Sequence, residues 1–117
     1  PAFWSRSAGM RAPLRMDSPA AIARAHRMRA ALGLPGGQLI ANPIPEAAEI
    51  PRAELTPVIS KATRDAADHG IPGKDLTPYL LQRIYELTEG RSLEANIALV
   101  LSNARLGAQI ACELAKD

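Results

Sequence analysis

The sequence predicts an α/β domain that is mostly helical, with four helices and two short strands. Ser18-Pro19 and Thr77-Pro78 mark helix starts, because a hydroxyl satisfies free amides and proline fits the first helical position. Gly33, Gly70 and Gly90 mark helix stops. Between them the apolar run QLIANPIP is forced into extended backbone, since Asn42 and Ile44 each precede a proline. With 117 residues, 47% hydrophobic and 22% charged, the chain suits one folded segment spanning 1–117. Aromatics are only 3%, so its core is expected to be aliphatic and rich in alanine.

The opening seventeen residues, PAFWSRSAGMRAPLRMD, read as an extended arm ending in a first short strand from Leu14 to Asp17. A helix follows from Pro19 to about Leu32, with Ile22, Ala25, Met28 and Leu32 as a weak apolar stripe. QLIANPIP is the second strand, expected inside a sheet with helices over it. Residues 46–52 connect it to a helix that runs to His69, tolerates Pro57 near its start and turns Ile59, Ala62 and Ala66 inward. The next helix is expected from Pro78 to Thr88, burying Leu80, Leu81, Ile84 and Leu87. Ser92 is expected to cap the long last helix. No internal repeat or low-complexity tract is evident.

On that last helix, a turn of about 100° per residue gathers Glu94, Arg105, Gln109 and Glu113 on one side and Leu93, Val100, Ile110 and Leu114 on the other. Asn96 and Asn103 fall among the apolar residues. Burying an unpaired amide costs about 1 to 3 kcal/mol, so each needs a partner in the protein or in a ligand.

Charge is uneven. Residues 1–45 carry +5, from six arginines against Asp17, and the remainder carries −3. Arg24, Arg27 and Arg29 read either as the solvated face of a helix or as part of an arm for phosphate or nucleic acid. The glycine pair Gly36-Gly37 lacks the following helix that a phosphate cradle needs. His26 and His69 lack metal-ligand spacing, and Cys112, the single cysteine, allows no internal disulfide. A reducing compartment such as the cytoplasm fits. No uninterrupted apolar run approaches the ~20 residues of a membrane span, and neither membrane nor nucleic acid is expected as a partner.

Four stretches, DSPAAIARA, GLPGGQLIANPIP, GKDLTPYLLQRIYELTEG and SLEANIALVLSNA, resemble in unbroken order the C-terminal part of the pseudouridine-5'-phosphate glycosidases, the indigoidine synthase A-like family. The resemblance implies the C-terminal part of an α/β/α sandwich, from an enzyme that is usually a homotrimer. That enzyme splits the C–C glycosidic bond of pseudouridine 5'-phosphate to uracil and ribose 5-phosphate. It also implies a lysine nucleophile that forms an imine with the opened sugar, a glutamate proton donor and an aspartate holding manganese.

All three residues belong to the N-terminal portion of the family, so no catalytic residue and no manganese ligand is expected here. Lys61, Lys74 and Lys116 do not match the nucleophile. What the resemblance carries over is Asn96, which in the family lines the active site, and Asn103, whose preceding family asparagine is Ser102 here. Asn42 at the end of the second expected strand, and Lys74 before Thr77-Pro78, complete the substrate-binding candidates. The rival readings are a free-standing helical binding module using the basic arm, and an inactive truncated product.

Overall fold

The computed structural model describes residues 2–116, and its element order is α1 (Pro19–Ala31), a short 3-10 turn (Glu46–Ala48), α2 (Arg52–Asp68), α3 (Gly73–Leu87) and α4 (Arg91–Leu114). The four helices stand close to their expected places. Both expected strands are absent, and no strand occurs among the described residues. The α/β class is therefore corrected to an all-helical one for this chain.

The reason lies in pairing. Leu14 to Asp17 is irregular, and its side-chain bonding is local, Arg15 Nε donating to Asp17 Oδ1 at 2.7 Å. QLIANPIP has lost two donors to Pro43 and Pro45, and Leu39 within it is 95% exposed, so neither a ladder nor a covered sheet forms. A strand needs a neighbour, and none is supplied here.

Contacts divide the described chain into two compact units, residues 2–8 with 43–99 and residues 9–42 with 100–116. The core of the first holds Trp4, Ile44, Ile50, Leu55, Ala62, Ile84 and Ala95. Its opening residues are tied to the segment before α2. The Ile50 amide donates to the Trp4 carbonyl at 2.9 Å, Ser5 Oγ to the Ile50 carbonyl at 2.7 Å, and the Arg6 guanidinium to the Ile44 carbonyl at 2.7 Å. Trp4 Nε1 donates to the Ser92 carbonyl at 2.9 Å. The expected free arm is thus anchored at its beginning.

Helices α2 and α3 begin alike, Pro51-Arg52-Ala53-Glu54-Leu55-Thr56-Pro57 against Pro72-Gly73-Lys74-Asp75-Leu76-Thr77-Pro78, sharing both prolines, the Leu-Thr pair and an acid at the same place. Each is preceded by proline and places an acid in the first turn, where the helix dipole favours it. The Thr77-Pro78 pair is therefore not a start: α3 begins earlier, at Gly73, and both Pro57 and Pro78 lie inside their helices. α2 buries Leu55, Ala62 and Ala66 but leaves Ile59 41% exposed, and α3 buries Ile84 while Leu81 stays 46% exposed.

Between α3 and α4 the chain reverses through Glu89 at φ 52° and Gly90 at φ 86°, both left-handed. Ser92 lies inside α4 and is not its cap. Thr88 takes that part instead, its Oγ1 accepting from the Ser92 amide at 3.2 Å.

In the second unit α1 buries Ile22 and Ala23, whereas Met28 and Leu32 of the expected stripe are exposed. Ser18 caps α1 as expected, accepting from the Ala21 amide at 3.2 Å. Arg27 donates to the carbonyls of Glu113, Leu114 and Lys116, satisfying acceptors left open at the end of α4. Arg29 donates to the Pro35 carbonyl at 3.0 Å. With Arg6 and Arg15, four of the six N-terminal arginines thus bond within the chain, which weakens the basic-arm reading.

α4 contains an eighteen-residue window of mean hydropathy 1.2, long and apolar enough by length and composition to cross a membrane. Charged and amide residues interrupt it, which is why no continuous apolar run is visible in the sequence.

Ile44 is fully enclosed. Ile44→Ala is expected to lower unfolding free energy by about 2 to 5 kcal/mol, read as a lower urea midpoint with unchanged slope.

Candidate functional site

The candidate site is a hollow of about 360 Å³ in the first unit, lined by Phe3, Trp4, Pro78, Leu81, Gln82, Tyr85, Ser92, Leu93 and Asn96. Three parts of the chain build it. The anchored opening residues bring Phe3 and Trp4, whose rings meet edge to face at 4.6 Å between centroids and 80° between planes. α3 brings Leu81, Gln82 and Tyr85, and the first turns of α4 bring Leu93 and Asn96.

Trp4 is held rigidly, because its ring is buried and its N–H is already engaged with Ser92. Phe3, Leu81, Tyr85 and Leu93 are about half exposed, so the walls are apolar and aromatic but open on one side. Such walls accept a flat, weakly polar ring.

Asn96 is half-buried and lines this hollow, and its amide makes no hydrogen bond to another described residue. It therefore keeps an acceptor and two donors available. Asn103 and Asn42 are different: in the second unit Asn42 Nδ2 donates to Asn103 Oδ1 and to Ser102 Oγ, both at 3.0 Å. Two of the candidate substrate residues are thus bonded to one another, through the Asn42 NH2 and the Asn103 carbonyl oxygen. That contact fastens the QLIANPIP segment to α4 and answers the expectation that Asn103 must find a partner. Ser102 accepts from the same Asn42 amide.

Lys74 is exposed in the first turn of α3 and lines no described hollow. Lys61 lies 3.8 Å from Asp65, and Lys116 lies 2.6 Å from Glu113. No lysine therefore reaches the hollow around Asn96. Among the described residues no three of His, Cys, Asp and Glu converge as metal ligands.

Sequence reasoning missed Trp4, Phe3 and Tyr85. The signal available was the aromatic pair at the very start of a chain otherwise poor in aromatics, which reads as an arm unless its anchoring is known.

A second hollow, also about 360 Å³, lies where α2 meets α3 and is lined by Asp65, His69, Tyr79, Gln82, Arg83 and Glu86. Its charges are spent on one another. Arg83 Nε donates to Asp65 at 2.7 Å and Arg83 Nη1 to Glu86 at 2.9 Å, while Gln82 donates to Glu86 at 3.0 Å. The bond from Arg83 holds the Asp65 carboxyl below its ordinary range, and Gln82 and then Arg83 do the same for Glu86.

Comparison with known proteins gives a consistent result. The sequence profile described as indigoidine synthase A like protein matches residues 1–113. A pseudouridine-5'-phosphate glycosidase of Paracoccus denitrificans is 64% identical over 115 residues, covering 98% of this chain and 38% of its own length. One from Roseobacter denitrificans is 66% identical over 111 residues, covering 95% of this chain and 36% of its own. Among solved structures, the prealnumycin C-glycosynthase AlnA in complex with ribulose 5-phosphate is similar with a TM-score of 0.85 and 29% identity, over 97% of this chain and 37% of that one. The chain thus spans little more than a third of the length of the proteins it matches.

A carboxyl whose folded pKa is depressed contributes stability above its unfolded pKa, near 3.9 for aspartate. That contribution is lost as pH falls through the lower folded value. Arg83→Met is therefore expected to raise the Asp65 pKa, followed by carboxyl NMR titration, and to bring acid unfolding on at a higher pH.

Proposed function

The chain belongs to the indigoidine synthase A-like family, and from that premise we propose that it forms the substrate-side helical portion of a pseudouridine-5'-phosphate glycosidase. The reaction proposed for the complete enzyme is cleavage of the C–C bond between ribose and uracil. The base carbon takes a proton, and the sugar carbon is captured by an amine and then released to water as ribose 5-phosphate. A carbon leaving group departs only if it is protonated as the bond breaks, so such chemistry needs an acid and an activated amine.

The single observation supporting a role for this chain is the unpaired Asn96 amide beside aromatic walls. A pyrimidine ring presents alternating donors and acceptors on its edge and a flat apolar face. An amide can donate to one ring group and accept from another, while Tyr85 and Phe3 lie along the face. Asn42 and Asn103 hold the segment before Pro43 on α4 within the second unit, and in this reading they have no assigned contact with the substrate. Lys74 has no assigned contact with the substrate.

The manganese implied by the resemblance belongs to the proposal for the complete enzyme, in which this chain is assigned no ligand for it. The homotrimer implied by the same resemblance, and the cytoplasmic location suggested by the single cysteine, belong to the proposal as well.

Asn96→Leu keeps the volume and removes both hydrogen-bonding functions. In a complete enzyme made by placing this chain in the matching stretch of the Paracoccus denitrificans relative, it is expected to lower kcat/KM at least about tenfold, or about 1.4 kcal/mol, with Tm held or raised. A lower Tm with intact turnover would instead make the amide structural. The 117 residues alone are expected to release no uracil from pseudouridine 5'-phosphate, since losing general acid assistance alone typically removes ~10²- to 10⁴-fold in rate. Release abolished by Lys74→Ala would overturn that expectation.

A further inference from the structure

Helix α4 is apolar on two sides. Ser92, Ala95 and Leu99 turn toward the chain's own core, and Glu94, Arg105 and Gln109 form a narrow polar strip. The remaining side carries Leu93, Ile97, Val100 and Leu101, which are 48%, 51%, 57% and 50% exposed, followed by exposed Ala104. A helix on the surface of a finished domain needs one apolar stripe, and one that is apolar nearly all round is a buried helix. The side that sequence reasoning expects to be covered, with Leu93 and Val100 on it, is not covered by this chain.

We infer that this face of α4 is the docking surface for the part of the family protein that the chain does not match. The relatives from Paracoccus and Roseobacter are covered over only 38% and 36% of their length, and the solved neighbour over 37% with a TM-score of 0.85. The helical arrangement is therefore kept inside a much larger chain, whose remaining residues have to pack against it. An apolar face of small and branched residues, with Ala104 and Gly107 allowing close approach, suits another protein element of the same fold.

A bilayer suits it less well, because Arg105 near the middle of the helix would have to enter hydrocarbon. The inference rests on family membership and is independent of what Asn96 binds.

The test is the chemical accessibility of a cysteine on that face. Ile97→Cys and, as a control on the polar strip, Arg105→Cys are each made in the 117-residue chain with Cys112→Ser, and in the complete chimeric enzyme. Alkylation by N-ethylmaleimide is followed at each site by peptide mass spectrometry. In the complete protein the rate at position 97 is expected to fall about tenfold or more relative to the isolated chain, while position 105 keeps its rate.

Equal rates at position 97 in both proteins would overturn the inference. So would protection already present in the isolated chain, whether it grows with protein concentration, as for a second copy, or needs phosphatidylcholine vesicles, as for a membrane. If the chimera fails to fold, the same substitution at the matching position of the complete relative, compared with its isolated matching stretch, measures the same difference in rate.

Discussion

The first unit depends on Trp4. Its indole N–H closes on the Ser92 carbonyl, its own carbonyl accepts from Ile50, and its ring sits in a core otherwise made of isoleucine, leucine and alanine. One residue at the chain's beginning therefore fastens the segment before α2 to the first turn of α4. The same ring forms a wall of the hollow that Asn96 lines, so packing and the candidate site share a support. In a core so short of aromatics, no other side chain brings comparable buried surface to that position.

Helices were legible because their signals are local. Ser18 reads as a cap and acts as one, and the periodicity of α2 identifies Ala62 and Ala66 correctly. Thr77-Pro78 misleads for an instructive reason: five residues before Thr77, Pro72 supplies an equally good beginning, and α3 runs through Pro78 in its second turn although proline has no N–H for the Lys74 carbonyl there. The strands were not legible in the same sense. Extended backbone can be read from X-Pro pairs, but a strand is a relation between two segments. QLIANPIP shows the first property without the second.

At the candidate site, the helical wheel singles out Asn96 and Asn103 equally, and nothing local separates them. Tertiary contact does. Asn103 meets Asn42 from the distant QLIANPIP segment, whereas the Asn96 amide bonds to none of the residues that line its hollow and keeps its hydrogen-bonding capacity. The resemblance carries over both asparagines, so it does not separate them either. The aromatic walls were hidden because Phe3 and Trp4 reach the hollow from a long distance in sequence. Periodicity has no hold on that kind of contact.

The grip of Arg27 on the last carbonyls of α4 has a consequence for how the second unit would respond to a protease. Residues 32–41 are exposed and irregular, the kind of segment in which cleavage concentrates. A cut there would part α1 and the residues before it from α2, α3 and α4, yet Arg27 would still hold Glu113, Leu114 and Lys116, and Trp4 would still hold Ile50 and Ser92. The nicked pieces would stay together until denatured. Digestion would then show two bands on a denaturing gel while the native particle kept its mass.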